Sequence, residues 1–396
     1  MKAVVIGAGR IGCGLAGQLL RSSGYDVTFI TRNPDVVKNL NFNGGYQVLL
    51  TTATECRPVT VDGIKAIASS DAVAATNALT QADLIVTAVC SQNLPAIAPL
   101  IAKALSQREA PANVIAFENM PSVGDCLRRL VASAMAEPGQ VDKHGFSGAV
   151  ISRMVTRRVG DPAGQKPLMF VGEAVEEFVV DRSALCAPLQ KIRGMKLVND
   201  YQPWVLQKLY TFSAGHATAA YLGWLKGYHY IHTAIHDAEI RKAVFNAMAE
   251  GQRGLAAKFG REFARGRAGL EATVARFENA NLNDPIVRVA RDPHRKLAAD
   301  ERLVGAGRLA EAAGVFPQQL AMVAAAALCF STSGNGKPCT ACFEQSQTAA
   351  TLNEICGLDA AHGFGRIVAK SWAQLAPSLL PGNLLLSLNQ RLWARV

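Results

Sequence analysis

Two residues of types that move protons stand close together in one helical stretch of the chain, Lys208 and His216. In an α-helix, residues eight positions apart lie about 12 Å apart along the axis and about 80° apart around it. Side chains lean toward the helix N-terminus, so His216 leans back toward Lys208. This spacing predicts that the two side chains flank a small substrate. The alternative is a surface lysine followed by a core histidine.

A glycine-rich turn, Gly7-x-Gly9-x-x-Gly12, directly follows an apolar strand pattern and opens a helical one. Glycines here permit a tight turn and close backbone approach, and the helix N-terminus supplies donors and positive potential for a pyrophosphate. The turn therefore predicts a dinucleotide site, against the alternative of a glycine turn without a ligand. The predicted contacts are Gly7, Gly9, Arg10, Ile11 and Gly12, with Arg10 either reaching the phosphates or standing exposed in the loop.

The end of the second predicted strand, Thr31-Arg32-Asn33, bears on the choice of cofactor. A site for NAD carries an acidic residue here that binds the ribose 2′-hydroxyl, and this string contains none. Arg32 can neutralise a 2′-phosphate, with Thr31 and Asn33 as hydrogen-bond donors. The sequence therefore predicts NADP as the preferred cofactor, with NAD also accepted if Arg32 is simply solvated.

Two later strands end in small and polar residues, in Thr87-Ala88-Val89 and in Glu118-Asn119. In a doubly wound sheet the carboxyl ends of the strands line the cofactor crevice. Ala88 and Val89 are predicted to let the nicotinamide ribose pack closely, and Asn119 can both donate and accept. Glu118 is predicted either to bind the ribose or to pair with a structural base. Ordinary turn chemistry is the alternative at each position.

The predicted secondary structure changes along the chain from alternating strands and helices to helices alone. In the first third, continuous apolar strands alternate with helical segments, which is typical of a parallel sheet covered on both faces. Strand patterns at Gly148–Val155, Pro167–Phe170 and Glu177–Val180 are predicted to extend the same sheet. The rest is predicted to be helical. The sequence thus predicts an α/β protein, with an N-terminal Rossmann-type doubly wound sheet with extra strands at 1–195 and a mostly α-helical substrate and catalytic domain at 196–396.

Composition places the chain among folded proteins that bind anions. Of its 396 residues, 49% are hydrophobic and 18% are charged, which excludes a disordered or fibrous class. The 41 basic and 31 acidic residues give a net charge of +10, and such an excess favours anionic partners. The basic residues form no tail and no stripe interleaved with aromatics. A small phosphorylated molecule is therefore preferred over a nucleic acid as the partner.

Membrane and export classes receive no support from the sequence. The longest apolar run, Leu320–Phe330, is about half of the ~20 residues that a membrane span needs. The opening Met1–Gly7 is predicted to be a first strand and not a signal peptide, which needs a longer apolar region. Nine irregularly spaced cysteines indicate reduced thiols in a cytoplasmic protein. The lone Cys339-Thr-Ala-Cys342 is predicted to be a loop, against a redox or metal site, and no metal is expected.

Longer strings extend beyond these local motifs. They are Gly7-Ala-Gly-Arg-Ile-Gly-Cys-Gly14, Ile115-Ala-Phe-Glu-Asn-Met120, Lys208-Leu-Tyr-Thr-Phe-Ser-Ala-Gly-His216, Ala220-Tyr-Leu-Gly-Trp-Leu-Lys-Gly227, Arg276-Phe-Glu-Asn279 and Arg288-Val-Ala-Arg-Asp-Pro-His-Arg-Lys-Leu297. Through them nearly the whole chain resembles the polyol-specific long-chain mannitol dehydrogenase family, mannitol-1-phosphate 5-dehydrogenases included. The resemblance implies metal-independent hydride transfer between a nicotinamide cofactor and a sugar alcohol or ketose.

The family signature is a lysine, an asparagine five residues later and a histidine three residues beyond that. The resemblance implies that Lys208 is the general acid/base and that His216 orients the substrate. A lysine acts in this way near neutral pH only if burial or neighbouring cations lower its pKa. The asparagine position holds Ser213, which keeps a hydroxyl donor on a shorter arm. Because the family amide polarises the reacting carbonyl or alkoxide, Ser213 indicates weakened or different chemistry.

Other positions on the active face also depart from the family pattern. Ser152 replaces an acidic residue, and Cys13 replaces an arginine after the third glycine of the loop. These changes indicate an altered substrate on a retained scaffold. In the family, the segment that begins at Arg288 contacts the distal hydroxyl or phosphate of the substrate. Ser152, Arg288, Arg291 and Lys296 are therefore the predicted substrate contacts, with Arg291 and Lys296 preferred for an anionic group. Solvation or local ion pairing is the alternative.

The preferred interpretation is a cytoplasmic, NADP-preferring dehydrogenase that acts on a polyol, a ketose or its phosphate. We expect it to work without a metal, as a monomer or homodimer, with no membrane or nucleic-acid partner. One alternative is a reductase of a different oxo substrate in a specialised pathway, which the serine replacements motivate. Another is a non-catalytic NADP-binding sensor, against which the retention of Lys208 and His216 argues.

Overall fold

The computed structural model describes residues 1–330 and 348–375. Its packing separates two compact units, Met1–Gln202 and Pro203–Val396. The boundary expected between residues 195 and 196 falls inside the last strand of the first unit. That strand, Met195–Val198, is held by a parallel neighbour, so the chain leaves the first unit only after it.

The first unit is described throughout and is built on twelve strands. They are β1 (Lys2–Ile6), β2 (Asp26–Thr31), β3 (Gly45–Thr51), β4 (Cys56–Asp62), β5 (Lys65–Ala68), β6 (Leu84–Thr87), β7 (Asn113–Ala116), β8 (Gly145–Ile151), β9 (Val155–Val159), β10 (Met169–Glu173), β11 (Phe178–Asp181) and β12 (Met195–Val198). Eight of them form one sheet in the order β12-β11-β8-β7-β6-β1-β2-β5. Neighbours run parallel except β11 and β8. The predicted Rossmann-type sheet is thereby confirmed.

Both faces of the eight-stranded sheet are covered, and β1 shows why its sequence is an unbroken apolar run. Val5 packs into one core cluster, whereas Val4 and Ile6 pack into a second one. Successive strand side chains point to opposite faces, so a strand buried on both faces has no polar positions. The helices of this unit are α1 (Gln18–Ser22), α2 (Pro34–Asn43), α3 (Ala72–Thr80), α4 (Leu94–Ser106) and α5 (Val123–Ala134), with 3₁₀ turns at Ser91–Asn93 and Pro138–Lys143 and a π-helical turn at Gly12–Gly17.

The remaining strands form a second sheet in the order β4-β3-β10-β9. The expectation that all later strands extend the first sheet is therefore wrong for β9 and β10, although β8 and β11 do join it. The predicted strand Gly148–Val155 is also divided, because the chain leaves the first sheet after Ile151. Tyr46 of β3 packs edge-on against Phe29 of the first sheet and Phe170 of the second, so an aromatic core stabilises the pair of sheets.

The described part of the second unit is helical. Its helices are α6 (Gln202–Gln207), α7 (Ala214–Leu225), α8 (Ile231–Ala234), α9 (Ala238–Phe259), α10 (Gly266–Phe277), α11 (Ile286–Ala290), α12 (Pro293–Lys296), α13 (Val304–Ala312), α14 (Gln318–Cys329), α15 (Thr348–Thr351) and α16 (Gly363–Leu375), with π-helical turns at Lys208–Ser213 and Leu352–Cys356 and 3₁₀ turns at Arg261–Phe263 and Ala280–Leu282. None of the described helices is both long enough and apolar enough to cross a membrane. The Cys339–Cys342 pair, which was predicted to lie in a loop, is outside the described residues.

Candidate active site

The glycine-rich turn lies between β1 and the first helical segment. Gly7 has a φ of +109°, and a Cβ there would lie 2.4 Å from the carbonyl oxygen of Ala88. At Gly12 a Cβ would lie 1.7 Å from the carbonyl oxygen of Gly7. A Cβ at Gly9 would meet nothing within 4 Å, so this backbone faces open space. Two glycines are thus required by the turn itself, and the third leaves an open backbone cradle of the kind that receives phosphates.

Hydrogen bonds of Arg10 and of Arg153, which lies between β8 and β9, hold this turn and the segment that follows it. Arg10 donates from Nη1 to the carbonyl oxygen of Thr156 at 2.9 Å, so part of its guanidinium group is used structurally. Buried Arg153 donates to the carbonyl oxygen of Gly14 at 2.8 Å and to Gln18 at 2.9 Å. Ile11 lies partly buried between these anchors. The turn is therefore fixed by contacts that are distant in sequence.

The end of β2 presents the residues that the sequence linked to the cofactor's ribose. Arg32 is exposed, and Thr31 is partly exposed. The side-chain oxygen of Asn33 caps α2 by accepting from the backbone amides of Asp35 at 2.9 Å and Val36 at 3.3 Å. Asn33 is thus committed through its oxygen to the helix, and Arg32 is the cation that remains displayed to solvent at this strand end.

Glu118 follows β7 and ties two strand ends together. Its carboxylate accepts from the hydroxyl of Thr87 at 2.7 Å and from the backbone amide of Val89 at 2.8 Å. Burial raises the pKa of Glu118, and these two hydrogen bonds oppose that shift. The structural base expected as its partner is in fact a hydroxyl and an amide. Glu118 thereby fixes the backbone at Ala88 and Val89, while the next residue, Asn119, is exposed.

Lys208 lies in the second unit, at the start of the π-helical turn Lys208–Ser213. The α-helical geometry assumed for this stretch therefore does not apply from Lys208 to Ser213, because a π turn closes its hydrogen bonds over five residues instead of four. Such turns recur at functional sites, and this one continues directly into α7, which carries His216. Ser213 ends the turn and is buried.

The amine of Lys208 titrates far from its ordinary range. Burial is the main cause, and it lowers the pKa of Lys208 to about 7. Repulsion from the positive charges of Arg302, Arg276 and Arg295 acts in the same direction, and Glu301 opposes it. An amine with this pKa holds both protonation states near neutral pH, which is what a general acid/base requires.

His216 is oriented by a buried carboxylate that the sequence analysis did not identify. Its Nε2 lies 3.1 Å from a carboxylate oxygen of Asp284, and its ring stacks on Phe277 at 5.1 Å between centroids. Burial opposes the charge of Asp284, but hydrogen bonds from His216 and Arg288 lower the pKa of this carboxyl to about 2. Because an ionised carboxylate only accepts hydrogen bonds, Nε2 carries the hydrogen and the tautomer is set.

The predicted substrate contacts of the second unit, Arg288, Arg291 and Lys296, each have a partner within the protein. Arg288, a predicted substrate contact, donates to Asp284 from Nε at 2.5 Å and from Nη2 at 2.7 Å. Arg291 is largely exposed and lies 3.9 Å from the carboxylate of Asp292. Lys296 is buried and donates to the carbonyl oxygen of Arg291. In the first unit, Ser152 donates its backbone amide to a carbonyl oxygen of the neighbouring strand segment.

Lys296 shares the electrostatic environment of Lys208. Burial, followed by repulsion from Arg302 and Arg295, lowers the pKa of Lys296 to about 7.

The sequence analysis did not identify Arg302 and Glu301, which follow Lys296 by only a few residues. The available signal was the dense run of charges from Arg288 to Arg302. The sequence feature that could have identified Asp284 was its four-residue spacing to Arg288, which favours an ion pair on one helical face. Among the described residues, no three His, Cys, Asp or Glu side chains group as metal ligands.

Comparison with known families accounts for both units. The Rossmann domain model of mannitol dehydrogenase matches residues 1–194, and the mannitol dehydrogenase C-terminal domain model matches residues 200–355. The mannitol-1-phosphate 5-dehydrogenase of Geobacillus thermodenitrificans is 35% identical over 373 residues, covering 91% of this chain and 96% of the relative. That of Brevibacillus brevis is 35% identical over 384 residues, covering 95% and 98%.

Solved structures agree on the fold. The ternary complex of Pseudomonas fluorescens mannitol 2-dehydrogenase with NAD and D-mannitol superposes with a TM-score of 0.77 at 16% identity, covering 97% of this chain and 92% of the other. A substrate-free D-sorbitol dehydrogenase gives a TM-score of 0.75 at 15% identity, covering 96% and 93%. The chain belongs to the mannitol dehydrogenase family, whose Rossmann and C-terminal domains it carries in order along its sequence.

Proposed function

We propose that this protein is a nicotinamide-dependent dehydrogenase that interconverts a hexitol phosphate and the corresponding ketose phosphate, with fructose 6-phosphate as the ketose tested first. The observation that carries the substrate class is the excess of positive charge around Lys208. Arg276, Arg295 and Arg302 repel the protonated amine of Lys208, and Arg295 and Arg302 also repel that of Lys296. Glu301 is the carboxylate that offsets them at Lys208. A phosphoryl dianion bound among these cations would receive charge-assisted hydrogen bonds from them.

The proton chemistry is assigned to Lys208. When the alcohol is oxidised, the neutral amine accepts the hydroxyl proton, and when the ketose is reduced, the ammonium donates a proton to the new alkoxide. His216 presents its ring to the substrate in one tautomer because Asp284 accepts the hydrogen of Nε2. Arg288 donates to both carboxylate oxygens of Asp284 and is assigned here to that carboxylate rather than to the substrate.

The first unit fits a nicotinamide dinucleotide, which supplies the hydride acceptor or donor when bound. Gly9 offers its open backbone to the phosphates, and Glu118 keeps the Ala88–Val89 backbone in place for the ribose. Exposed Arg32 favours NADP because a guanidinium neutralises a 2′-phosphate, and the strand end provides no carboxylate for a 2′-hydroxyl. NADP is therefore proposed as the preferred cofactor and NAD as the weaker one.

A second candidate is a reductase of another oxo compound on the same scaffold. Ser213 favours it, because this buried serine stands where the family signature has an asparagine, and its hydroxyl reaches less far than an amide. Loss of a donor of this kind changes the rate by about 10²–10³-fold when the reacting oxygen depends on it.

The deciding experiment follows nicotinamide absorbance with purified protein, using NADPH and NADH against fructose 6-phosphate, fructose and a panel of other ketoses. We expect NADPH oxidation with fructose 6-phosphate and at least a tenfold lower kcat/KM with fructose, since charge-assisted hydrogen bonds contribute about 1.5–3 kcal/mol each. Equal kcat/KM values for the two sugars would remove the phosphate assignment. Binding of NADPH with no turnover across the panel would favour the second candidate, and Ser213→Asn would then be the first variant to assay.

A further inference from the structure

The carboxylate of Glu301 contacts two of the arginines that act on Lys208. One of its oxygens lies 3.2 Å from Nη1 of Arg295. The other accepts from Nε of Arg302 at 3.0 Å and lies 2.9 Å from its Nη2. Both Glu301 and Arg302 are buried. One carboxylate therefore holds two guanidinium groups whose charges both repel the protonated amine of Lys208.

The segment that carries Glu301 is attached to the π-helical turn of Lys208. The hydroxyl of Tyr210, in that turn, donates to the carbonyl oxygen of Asp300 at 3.1 Å. A Cβ at Gly305 would lie 2.4 Å from the same hydroxyl, so the chain on the far side of Glu301 packs closely there as well. Glu301 is thus fixed relative to Lys208 by its backbone and relative to the arginines by its side chain.

We propose that Glu301 is a positioning residue, the counter-ion that holds Arg295 and Arg302 in one arrangement and allows Lys208 to carry a proton among them. This inference rests on the proposed acid/base role of Lys208. Among the described residues, the charges that act on the amine of Lys208 include those of Arg302, Glu301, Arg276 and Arg295. Of these four, Glu301 is the one that favours the ammonium, so its removal takes away that attraction while the three arginines still repel the ammonium.

The proposal predicts opposite effects for changes at the two ends of the Glu301–Arg295 pair. In Glu301→Gln, Lys208 should lose its proton at a pH lower by about one unit, because an opposite charge nearby has been removed. Glu301→Asp keeps the charge and should return the titration toward that of the parent protein. In Arg295→Gln, a repelling cation is removed, and the titration should move to higher pH. Glu271→Gln, an exposed carboxylate of α10 paired with Arg267, is the matched control and should change nothing.

The measurement is competitive acylation of lysines in the full-length protein across pH, quantified by mass spectrometry for Lys208 alone. It separates Lys208 from Lys296, which titrates in the same range, and it needs no turnover. The pH profile of kcat/KM is then recorded with any substrate found, and its acid limb should move with the labelling. A shift in Glu271→Gln as large as that in Glu301→Gln, or no shift in Glu301→Gln, overturns the proposal.

If Glu301→Gln does not fold, Arg295→Gln decides, because its side chain is nearly half exposed. An unchanged or lowered titration pH in that variant overturns the proposal by itself. If fructose 6-phosphate is not a substrate, the labelling still tests the role of Glu301, because it needs no turnover. Conversely, an unshifted titration leaves the substrate assignment standing, so the two proposals fail separately.

Discussion

The two candidate binding regions are built in contrasting ways. The glycine-rich turn of the first unit is a local structure, in which Gly7 and Gly12 are required by their own backbone neighbourhood. The charged cluster around Lys208 is assembled from helices and from the turn between α12 and α13, and it depends on side chains. A backbone site tolerates changes around it as long as the turn survives. A side-chain cluster responds to each charge it gains or loses, and we therefore expect substrate choice and pH dependence to depend on this region.

The largest expected effect is at Lys208. Lys208→Met should lower kcat/KM by about 10²–10⁴-fold, which is the range supplied by general acid/base catalysis. In the parent protein, kcat/KM for alcohol oxidation should rise as pH increases through about 7, because the amine must be neutral to accept the proton. Steady-state kinetics across pH measures both effects. The exposed Lys242→Met is the control, and activity of Lys208→Met within tenfold of that control would contradict the assignment.

In the glycine turn, Gly12→Ala and Gly9→Ala add the same methyl group but are expected to affect different properties. Gly12→Ala places a methyl group 1.7 Å from a backbone oxygen, and we expect a loss of about 3 kcal/mol or more in the free energy of unfolding. Gly9→Ala meets open space and should keep the stability of the parent protein while weakening dinucleotide binding. Denaturant unfolding and NADPH titration separate the two. If Gly9→Ala bound NADPH as tightly as the parent protein, the cradle would not lie there.

Cofactor choice is expected to depend on Arg32 through charge alone. Arg32→Ala should raise the KM for NADPH by roughly 10–100-fold and change the KM for NADH little, because a charge-assisted hydrogen bond contributes about 1.5–3 kcal/mol. The ratio of the two kcat/KM values is the measurement. A parallel loss with both cofactors would point to a role for Arg32 in the fold, and circular dichroism would then show it.

The smallest expected effect is at Asp284. Asp284→Asn should lower kcat/KM by roughly tenfold by loosening His216, since misplacement of an orienting group weakens catalysis. The pKa of Asp284 lies near 2, below its ordinary 3.8, so its ionisation stabilises the fold above the unfolded-state pKa and that stabilisation is lost as pH falls toward 2. It contributes about 2 kcal/mol. Acid unfolding curves should show the loss in the parent protein and lack it in the variant.

Strands and helices were predictable where one segment's own pattern decides its structure. The strand predicted at Met1–Gly7 contains β1, and the second predicted strand ends at Thr31 as β2 does, because apolar periodicity and flanking turn residues are local properties. The partners of β9 and β10 were not predictable, because strand pairing depends on which edge another part of the chain leaves open. The predicted strand Gly148–Val155 was divided for the same reason, since Arg153 anchors that corner to a helix far away in sequence.

The sequence by itself determined the glycine turn, the Rossmann-type sheet, the helical second unit and the family, because motif spacing and apolar period are read along the chain. Only the tertiary structure showed that Arg288 holds Asp284 and that Glu301 joins two arginines near Lys208. It also replaced the α-helical placement of Lys208 with a π turn. The physical reason is that a charge acts through distance in space and through burial, and neither quantity is written in the spacing of residues along the chain.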